Sequence, residues 1–108
     1  MPKAISSIEL VAVMQGPVHP QLIDVRRKAA FDASGKMIIG ANWRDPDDIE
    51  NWIASVEAGR PVVVYCAHGH QVSQGCAARL EAAGHGAVFL AGGIEQWAAD
   101  NYPTISKS

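Results

Sequence analysis

A cysteine lies at the point where a strand pattern gives way to a helix pattern. Val62–Tyr65 is an apolar and mostly β-branched run, typical of a strand buried on both faces of a parallel sheet, and Cys66 follows it directly. A helical pattern begins at Ser73. Unpaired N–H groups at a helix start, together with the helix dipole, favour negative charge, so a thiol placed there has a lowered pKa. The sequence therefore predicts that Cys66 is a nucleophile near neutral pH.

The polar turn that follows Cys66 predicts a binding site for an anion. Its backbone N–H groups are expected to converge on the sulfur and on any negative group that the sulfur carries. The predicted substrate-binding residues of this turn are Ala67, His68, Gly69, His70, Gln71, Val72 and Ser73. The two histidines can hold a negative substrate when protonated, although the pattern fits two solvent-exposed loop histidines equally well.

Arg44 is the predicted anion-attracting side chain from outside the cysteine turn. It follows a short strand pattern on the side where a substrate would enter, and the turn itself holds no arginine or lysine. A surface ion pair with Asp47 or Asp48 is the alternative interpretation of this arginine.

The second cysteine, Cys76, falls on the predicted helix among small apolar residues. This position favours a place in the core over a role in resolving an oxidised Cys66. A zinc site built from both cysteines, His68 and His70 is disfavoured, because the sequence has no Cys-x-x-Cys pair and no spaced histidine pair on a helix. We therefore expect neither a metal nor a cofactor.

Strands alternate with helices along the chain, which is the pattern of a parallel sheet covered on both faces. The strand patterns cover residues 21–26, 37–41, 62–65 and 87–90, and helical patterns cover residues 28–33, 46–58, 73–83 and 94–99. A capping box of Ser6 and Glu9 predicts the start of one more helix near the amino terminus.

Several local expectations accompany these elements. Phe31 is predicted to point into the core. Residues 42–44 are predicted to be a loop, and residues 106–108 a frayed end.

The size and charge of the chain limit the classes of function. The 108 residues carry a formal net charge of −2, which predicts one globular domain over residues 1–108 and offers no basic patch for nucleic acid or membranes. The amino terminus lacks the pattern of a secretory signal, and no apolar run is long enough to span a bilayer. Two cysteines ten positions apart do not make a disulfide framework, so a reducing cytoplasm is the expected location.

Three segments together resemble the single-domain rhodaneses, a family of sulfurtransferases. They are residues 22–26, residues 62–69 and residues 90–97, the last with a glycine pair followed by isoleucine and tryptophan. The resemblance implies a five-stranded parallel sheet with helices on both faces and a persulfide carried on Cys66. It also implies that Asp24 and Arg26 are structural rather than catalytic, because such residues in the family fix loops through hydrogen bonds and an ion pair. It implies transfer of sulfur from a small donor such as thiosulfate to cyanide or to a thiol, which can belong to a partner protein.

The cysteine turn departs from the family pattern in two ways. Gln71 and Val72 stand where the family usually has an arginine or lysine, and the turn is predicted to be one residue longer than the common six-residue type. A longer turn is typical of the related cell-cycle phosphatases and arsenate reductases, so a phosphatase-like or arsenate-reducing enzyme is one alternative. A non-catalytic sensing or interaction module on the same fold is the other.

Overall fold

Five parallel strands form the central sheet. The computed structural model describes residues 2–107. In chain order the strands are β1 (Lys3–Ile5), β2 (Gln21–Asp24), β3 (Lys36–Ile38), β4 (Asn42–Trp43), β5 (Val62–Tyr65), β6 (Ala87–Leu90) and β7 (Thr104–Ser106). The central sheet has the strand order β1-β6-β5-β2-β4, and every neighbouring pair in it is parallel. This arrangement confirms the predicted five-stranded parallel sheet.

Helices cover both faces of this sheet, as predicted. They are α1 (Ser7–Met14), α2 (Lys28–Ala33), α3 (Ile49–Trp52), α4 (Gln71–Ala82) and α5 (Gly93–Ala99). One face of the sheet packs against Trp52 of α3 and Leu80 of α4. The other face packs against Leu10 of α1 and Trp97 of α5. All four residues of β5 are buried, which explains the unbroken apolar run in the sequence.

The helix starts follow the capping signals in the sequence. The predicted capping box of α1 is present, because Ser6 Oγ accepts from the Glu9 N–H and Glu9 Oε1 accepts from the Ser6 N–H. Asp45 caps a 3-10 turn, Pro46–Asp48, that leads into α3. Another 3-10 turn, Ile53–Ser55, ends this helical stretch before the predicted end at residue 58.

The start of α4 differs from the prediction. The helix begins at Gln71, two residues before the predicted start at Ser73, so only Cys66 to His70 connect it to β5. The last three residues of the predicted turn, Gln71, Val72 and Ser73, form the first turn of the helix. A β-branched valine and two polar residues weaken the helical signal of this turn, which hides the boundary in the sequence.

The edges of the molecule hold the other corrections. Residues 42–43 pair with β2 as strand β4 rather than forming a loop. The predicted frayed end is wrong for Ser106 and Lys107, because β7 pairs antiparallel with β3 and Lys107 Nζ donates to the Phe31 and Ser34 carbonyls. Ser108 lies outside the described residues. Phe31 is only half-buried and stacks on Trp43 at 5.0 Å instead of entering the core.

A buried ion pair fixes the carboxyl end of β2. Arg26 Nη2 lies 2.7 Å from Asp24 Oδ2, and both side chains are buried. The Tyr65 hydroxyl donates to the same carboxylate at 3.0 Å and accepts from the Ile38 N–H. Arg26 also donates to the Lys36 carbonyl. The network supports the structural role predicted for Asp24 and Arg26, because it ties together β2, β3 and β5 beneath the cysteine turn.

No helix among residues 2–107 is both long enough and apolar enough to cross a membrane.

Candidate active site

The thiol of Cys66 lies at the carboxyl end of β5, directly beneath the start of α4. Its residue is 6% exposed, so the sulfur is nearly enclosed. The Ser73 hydroxyl, on the first turns of α4, lies 3.1 Å from the sulfur. The carboxyl ends of parallel strands are where α/β sheets place their ligand sites, and the cysteine occupies such an end near the middle of the sheet.

The carbonyl groups of the cysteine turn point away from the sulfur. The Cys66 carbonyl accepts from the Ile94 N–H, and the Ala67 carbonyl accepts from the Glu95 N–H, both at 3.0 Å. The Gln74 side chain donates to the Gly69 carbonyl, and the Gln74 backbone N–H donates to the His70 carbonyl. With these carbonyls bonded elsewhere, the N–H groups of Gly69, His70 and Ser73 are left to hydrogen-bond to the sulfur.

Two glycines allow the turn to pack tightly against the start of α5. Gly69 has φ +75°, and a Cβ there would lie 2.7 Å from the Leu90 carbonyl oxygen. Gly93 has φ +60°, and a Cβ there would lie 2.4 Å from the Cys66 carbonyl oxygen. Any side chain at either position would displace the turn. Gly93, the second glycine of the closing segment, thus packs directly against the cysteine turn.

The hydrogen bonds around the thiol favour its ionised form. Burial raises the pKa of the Cys66 thiol. Hydrogen bonds from the hydroxyl and N–H of Ser73, and from the N–H groups of His70 and Gly69, have the larger combined effect and hold the pKa below that of an ordinary cysteine. The predicted thiolate is therefore favoured by the local geometry.

A cavity of about 220 Å³ opens above the sulfur. Most of the predicted substrate-binding residues line it together with Cys66, namely Ala67, His68, His70, Gln71 and Val72. The imidazole rings of His68 and His70 are exposed at its rim, with their centroids 6.1 Å apart. Gly69 and Ser73 are buried beneath the turn and act through their hydrogen bonds to the sulfur.

The structure does not bring Arg44 to this cavity. Arg44 lines a separate cavity with Asn42, Trp52 and Arg60, on the α3 side of the sheet edge. Alternate residues of a strand point to opposite faces, so Arg44 follows Asn42 to one face while Trp43 goes to the other. The prediction that Arg44 attracts the substrate is therefore corrected.

Arg27 lines the cavity above Cys66 but is not among the site residues predicted from the sequence. It follows the buried Arg26 at the end of β2. Its Nη1 lies 3.0 Å from Asp47 Oδ1 on the 3-10 turn before α3. The signal that could have found it is positional, because the ends of neighbouring parallel strands meet at one edge of the sheet.

Cys76 packs in the core, as predicted, on the sheet-facing side of α4. Burial and the nearby Cys66 raise its pKa to about 11, so it is a neutral thiol at pH 7. Both cysteines are free thiols. Within residues 2–107, no three His, Cys, Asp or Glu side chains are grouped as metal ligands would be.

Comparison with known proteins agrees with this geometry. The family model described as "Rhodanese-like domain" matches residues 7–100. The thiosulfate sulfurtransferase GlpE of Stutzerimonas stutzeri is 36% identical over 84 residues, which cover 77% of this chain and 73% of that protein.

Two solved structures show the same architecture. A full-length protein from Lactobacillus plantarum gives a TM-score of 0.85 at 25% identity, covering 96% of this chain and 88% of that one. A rhodanese-like domain protein from Staphylococcus aureus gives a TM-score of 0.77 at 29% identity, covering 88% and 90%. The chain described here belongs to the rhodanese-like domain family.

Proposed function

We propose that this protein is a sulfurtransferase that carries sulfane sulfur as a persulfide on Cys66. The observation that supports this most is the enclosed thiol, whose pKa is lowered by the Ser73 hydroxyl and by N–H groups of its own turn. The similarity to a protein named as a thiosulfate sulfurtransferase supports the same reaction class. Thiosulfate is the donor that we propose to test first.

The first half-reaction loads the sulfur. The Cys66 thiolate attacks the outer sulfur of thiosulfate, a new S–S bond forms, and the S–S bond within thiosulfate breaks. Sulfite leaves with the electron pair of that broken bond. The lowered pKa of Cys66 increases the fraction present as thiolate, and the thiolate attacks without a general base.

The loaded sulfur is then held by the turn. A persulfide carries its negative charge on the terminal sulfur, and the N–H groups of Gly69, His70 and Ser73, which hydrogen-bond to the Cys66 sulfur, are the donors that we expect to stabilise that charge. Ala67 and Val72 supply an apolar part of the cavity wall beside the sulfur.

The second half-reaction passes the sulfur to a nucleophile. Cyanide attacks the terminal sulfur, takes it as thiocyanate and leaves Cys66 as a thiolate; a thiol acceptor takes the sulfur as its own persulfide. The cavity lies at the rim of the molecule beside the exposed His68 and His70, so a thiol on a small molecule or a partner protein can reach it. A reducing cytoplasm, which would keep Cys66 and Cys76 as thiols, is the location proposed with this function.

The alternative chemistries have less support. A phosphatase-like or arsenate-reducing enzyme has the longer turn as its only support, and the turn lacks the arginine that holds the oxyanion in those enzymes. A non-catalytic module has no need for a thiol whose pKa is lowered by several convergent hydrogen bonds.

Turnover of thiosulfate and cyanide to thiocyanate tests the proposal. We expect thiocyanate from the parent protein and from Cys76→Ser, and none above background from Cys66→Ser. Hydrolysis of a simple aryl phosphate should not exceed that of Cys66→Ser. Aryl phosphate hydrolysis that depends on Cys66, without thiocyanate formation, would replace the proposal with the phosphatase alternative.

A further inference from the structure

The cavity above Cys66 needs a cation that its own turn does not supply. Thiosulfate is a dianion, and the turn offers Gln71 and Val72 in place of an arginine or lysine. Apart from the two histidines, the charged side chains that line the cavity within residues 2–107 are Arg26 and Arg27. One of these must provide the permanent positive charge if the cavity is to select anions.

The guanidinium group of Arg26 is hydrogen-bonded within the fold. Its Nε and Nη2 bind both carboxylate oxygens of Asp24, and Nη2 also donates to the Lys36 carbonyl. The side chain is 3% exposed, and its charge is matched by the buried carboxylate. Releasing it toward a substrate would leave a buried charge without a partner, which is strongly unfavourable.

Arg27 is placed differently. Its side chain is 61% exposed, and its partner Asp47 is 73% exposed. An exposed ion pair contributes little, so an anion in the cavity can compete with Asp47 for the guanidinium group. The fork of N–H donors suits a planar or tetrahedral oxyanion such as the sulfonate end of thiosulfate.

The position of Arg27 also links two neighbouring cavities. Arg27, Gln71 and Val72 line both the cavity above Cys66 and a second one of about 270 Å³. Asp47 lines only the second cavity. Arg27 therefore borders the cavity that contains Cys66, whereas Asp47, whose carboxylate accepts from Arg27 Nη1, lines only the second cavity.

We propose that Arg27 is the anion-binding residue of the Cys66 cavity, and that Asp47 holds its guanidinium group while the cavity is empty. The proposal rests on the proposed function for its biological substrate, an anionic sulfur donor. It makes Arg27 the determinant of preference for anions over neutral molecules, and it makes Asp47 a competitor of the substrate. Removing Asp47 should therefore strengthen anion binding.

Alkylation of Cys66 measures this preference without requiring sulfur transfer. Iodoacetate is an anion and iodoacetamide is neutral, and both react by the same step, in which the thiolate displaces iodide and a thioether forms. The ratio of their rate constants cancels any change in the pKa of Cys66. It therefore reports the electrostatic effect of Arg27 on an incoming anion. The experiment uses the full chain, with mass spectrometry to confirm that Cys66 is the residue modified.

We expect Arg27→Gln to lower the iodoacetate-to-iodoacetamide ratio by about threefold or more, the effect of one cation at a partly exposed site. Arg27→Lys should restore much of the ratio, and Asp47→Asn should raise it. Arg44→Gln is the matched control and should leave the ratio unchanged, because Arg44 lines another cavity. An unchanged ratio in Arg27→Gln, or an equal fall in Arg44→Gln, would overturn the proposal.

Steady-state kinetics of thiocyanate formation test whether Arg27 also acts in sulfur transfer. Arg27→Gln should raise KM for thiosulfate with little change in kcat at saturation. If the parent protein shows the charge-dependent alkylation but no thiocyanate, the anion site stands and the proposed function fails. If thiocyanate forms at equal kcat/KM in the parent and in Arg27→Gln, the function stands and the role of Arg27 is refuted.

Discussion

At the scale of single residues, Ser73 links the fold to the reactivity of the thiol. Its hydroxyl lies 3.1 Å from Cys66 Sγ, and its N–H also contributes to the lowered pKa. Because a thiolate accepts from a hydroxyl that a neutral thiol can only weakly engage, this contact favours the ionised form. Ser73 is thus a positioning and tuning residue rather than a nucleophile or base.

Ser73→Ala should raise the pKa of Cys66. A hydrogen bond to a charged group is worth about 1.5–3 kcal/mol, so a shift of about one to two pKa units and a fall of about ten- to a hundredfold in alkylation at pH 7 are expected. Iodoacetamide rates measured from pH 5 to 10 give both values. Parent and variant should converge at high pH, where both thiols are ionised. A rate profile that superimposes on that of the parent would show that the hydroxyl has no such role.

The residue scale also shows where sequence reasoning succeeded and where it failed. Cys66 could be identified because one strand pattern and one helix pattern meet at it. The sequence does not show whether Arg44 or Arg27 lies nearer to Cys66, because both arginines follow strands that end at the same edge of the sheet. The choice depends on the face to which each side chain turns and on the 3.0 Å contact between Arg27 and Asp47. Such contacts between distant segments leave no local pattern in the sequence.

At the scale of elements, the start of α5 holds the cysteine turn in shape. Its Ile94 and Glu95 N–H groups take the Cys66 and Ala67 carbonyls, so those carbonyls do not compete for the space around the sulfur. Gly93 lets the two segments approach this closely. The closing segment of the family resemblance therefore has a physical purpose at the active site.

Gly93→Ala should displace the turn. Gly93 has a φ of +60°, and a Cβ added there would lie 2.4 Å from the Cys66 carbonyl oxygen, so there is no room for a methyl group. We expect a loss of more than about 1 kcal/mol in the free energy of unfolding, together with slower alkylation of Cys66 at pH 7. Urea unfolding and iodoacetamide rates measure the two effects.

Gly75→Ala is the matched control for that variant. Gly75 lies inside α4, and a Cβ there has no atom within 4 Å. Replacing a helical glycine by alanine should stabilise the protein by about 0.5–1 kcal/mol without slowing alkylation. If both variants were to behave alike, the close approach at Gly93 would not explain the geometry of the turn.

The sequence predicted most of these elements, and the errors have a common cause. The central strands and the helices produce strong apolar patterns because they are buried. The strands β1, β4 and β7 have only two or three residues each and little buried apolar surface, so their pairing with distant segments cannot be recognised locally. The early start of α4 was missed because Val72 and Ser73 in its first turn have low helix propensity and no side-chain cap marks its first residue.

At the scale of the whole molecule, the Asp24–Arg26 pair joins the sheet to the active-site edge. The pair connects β2, β3 and β5 through Arg26, Tyr65 and the Ile38 N–H. The cysteine turn follows β5, and the cavity residues Arg26 and Arg27 follow β2. The placement of the cavity thus depends on a polar network inside an otherwise apolar sheet.

Asp24→Asn should destabilise the whole fold. The change leaves the buried Arg26 charge without its carboxylate, at a cost of about 3–5 kcal/mol out of a typical total of about 5–15 kcal/mol. Asp47→Asn removes the carboxylate of an exposed arginine pair and should cost no more than about 1 kcal/mol. Urea denaturation of the two variants compares these costs. Equal stability losses would contradict the role given to the buried pair.

The central claim is that Cys66 carries the transferred sulfur, and intact mass spectrometry tests it most directly. Reduced protein is incubated briefly with thiosulfate, beside the Cys66→Ser and Cys76→Ser variants. The account predicts a gain of one sulfur atom in the parent and in Cys76→Ser, and no gain in Cys66→Ser. A sulfur gain that survives in Cys66→Ser, or is lost in Cys76→Ser, would contradict it.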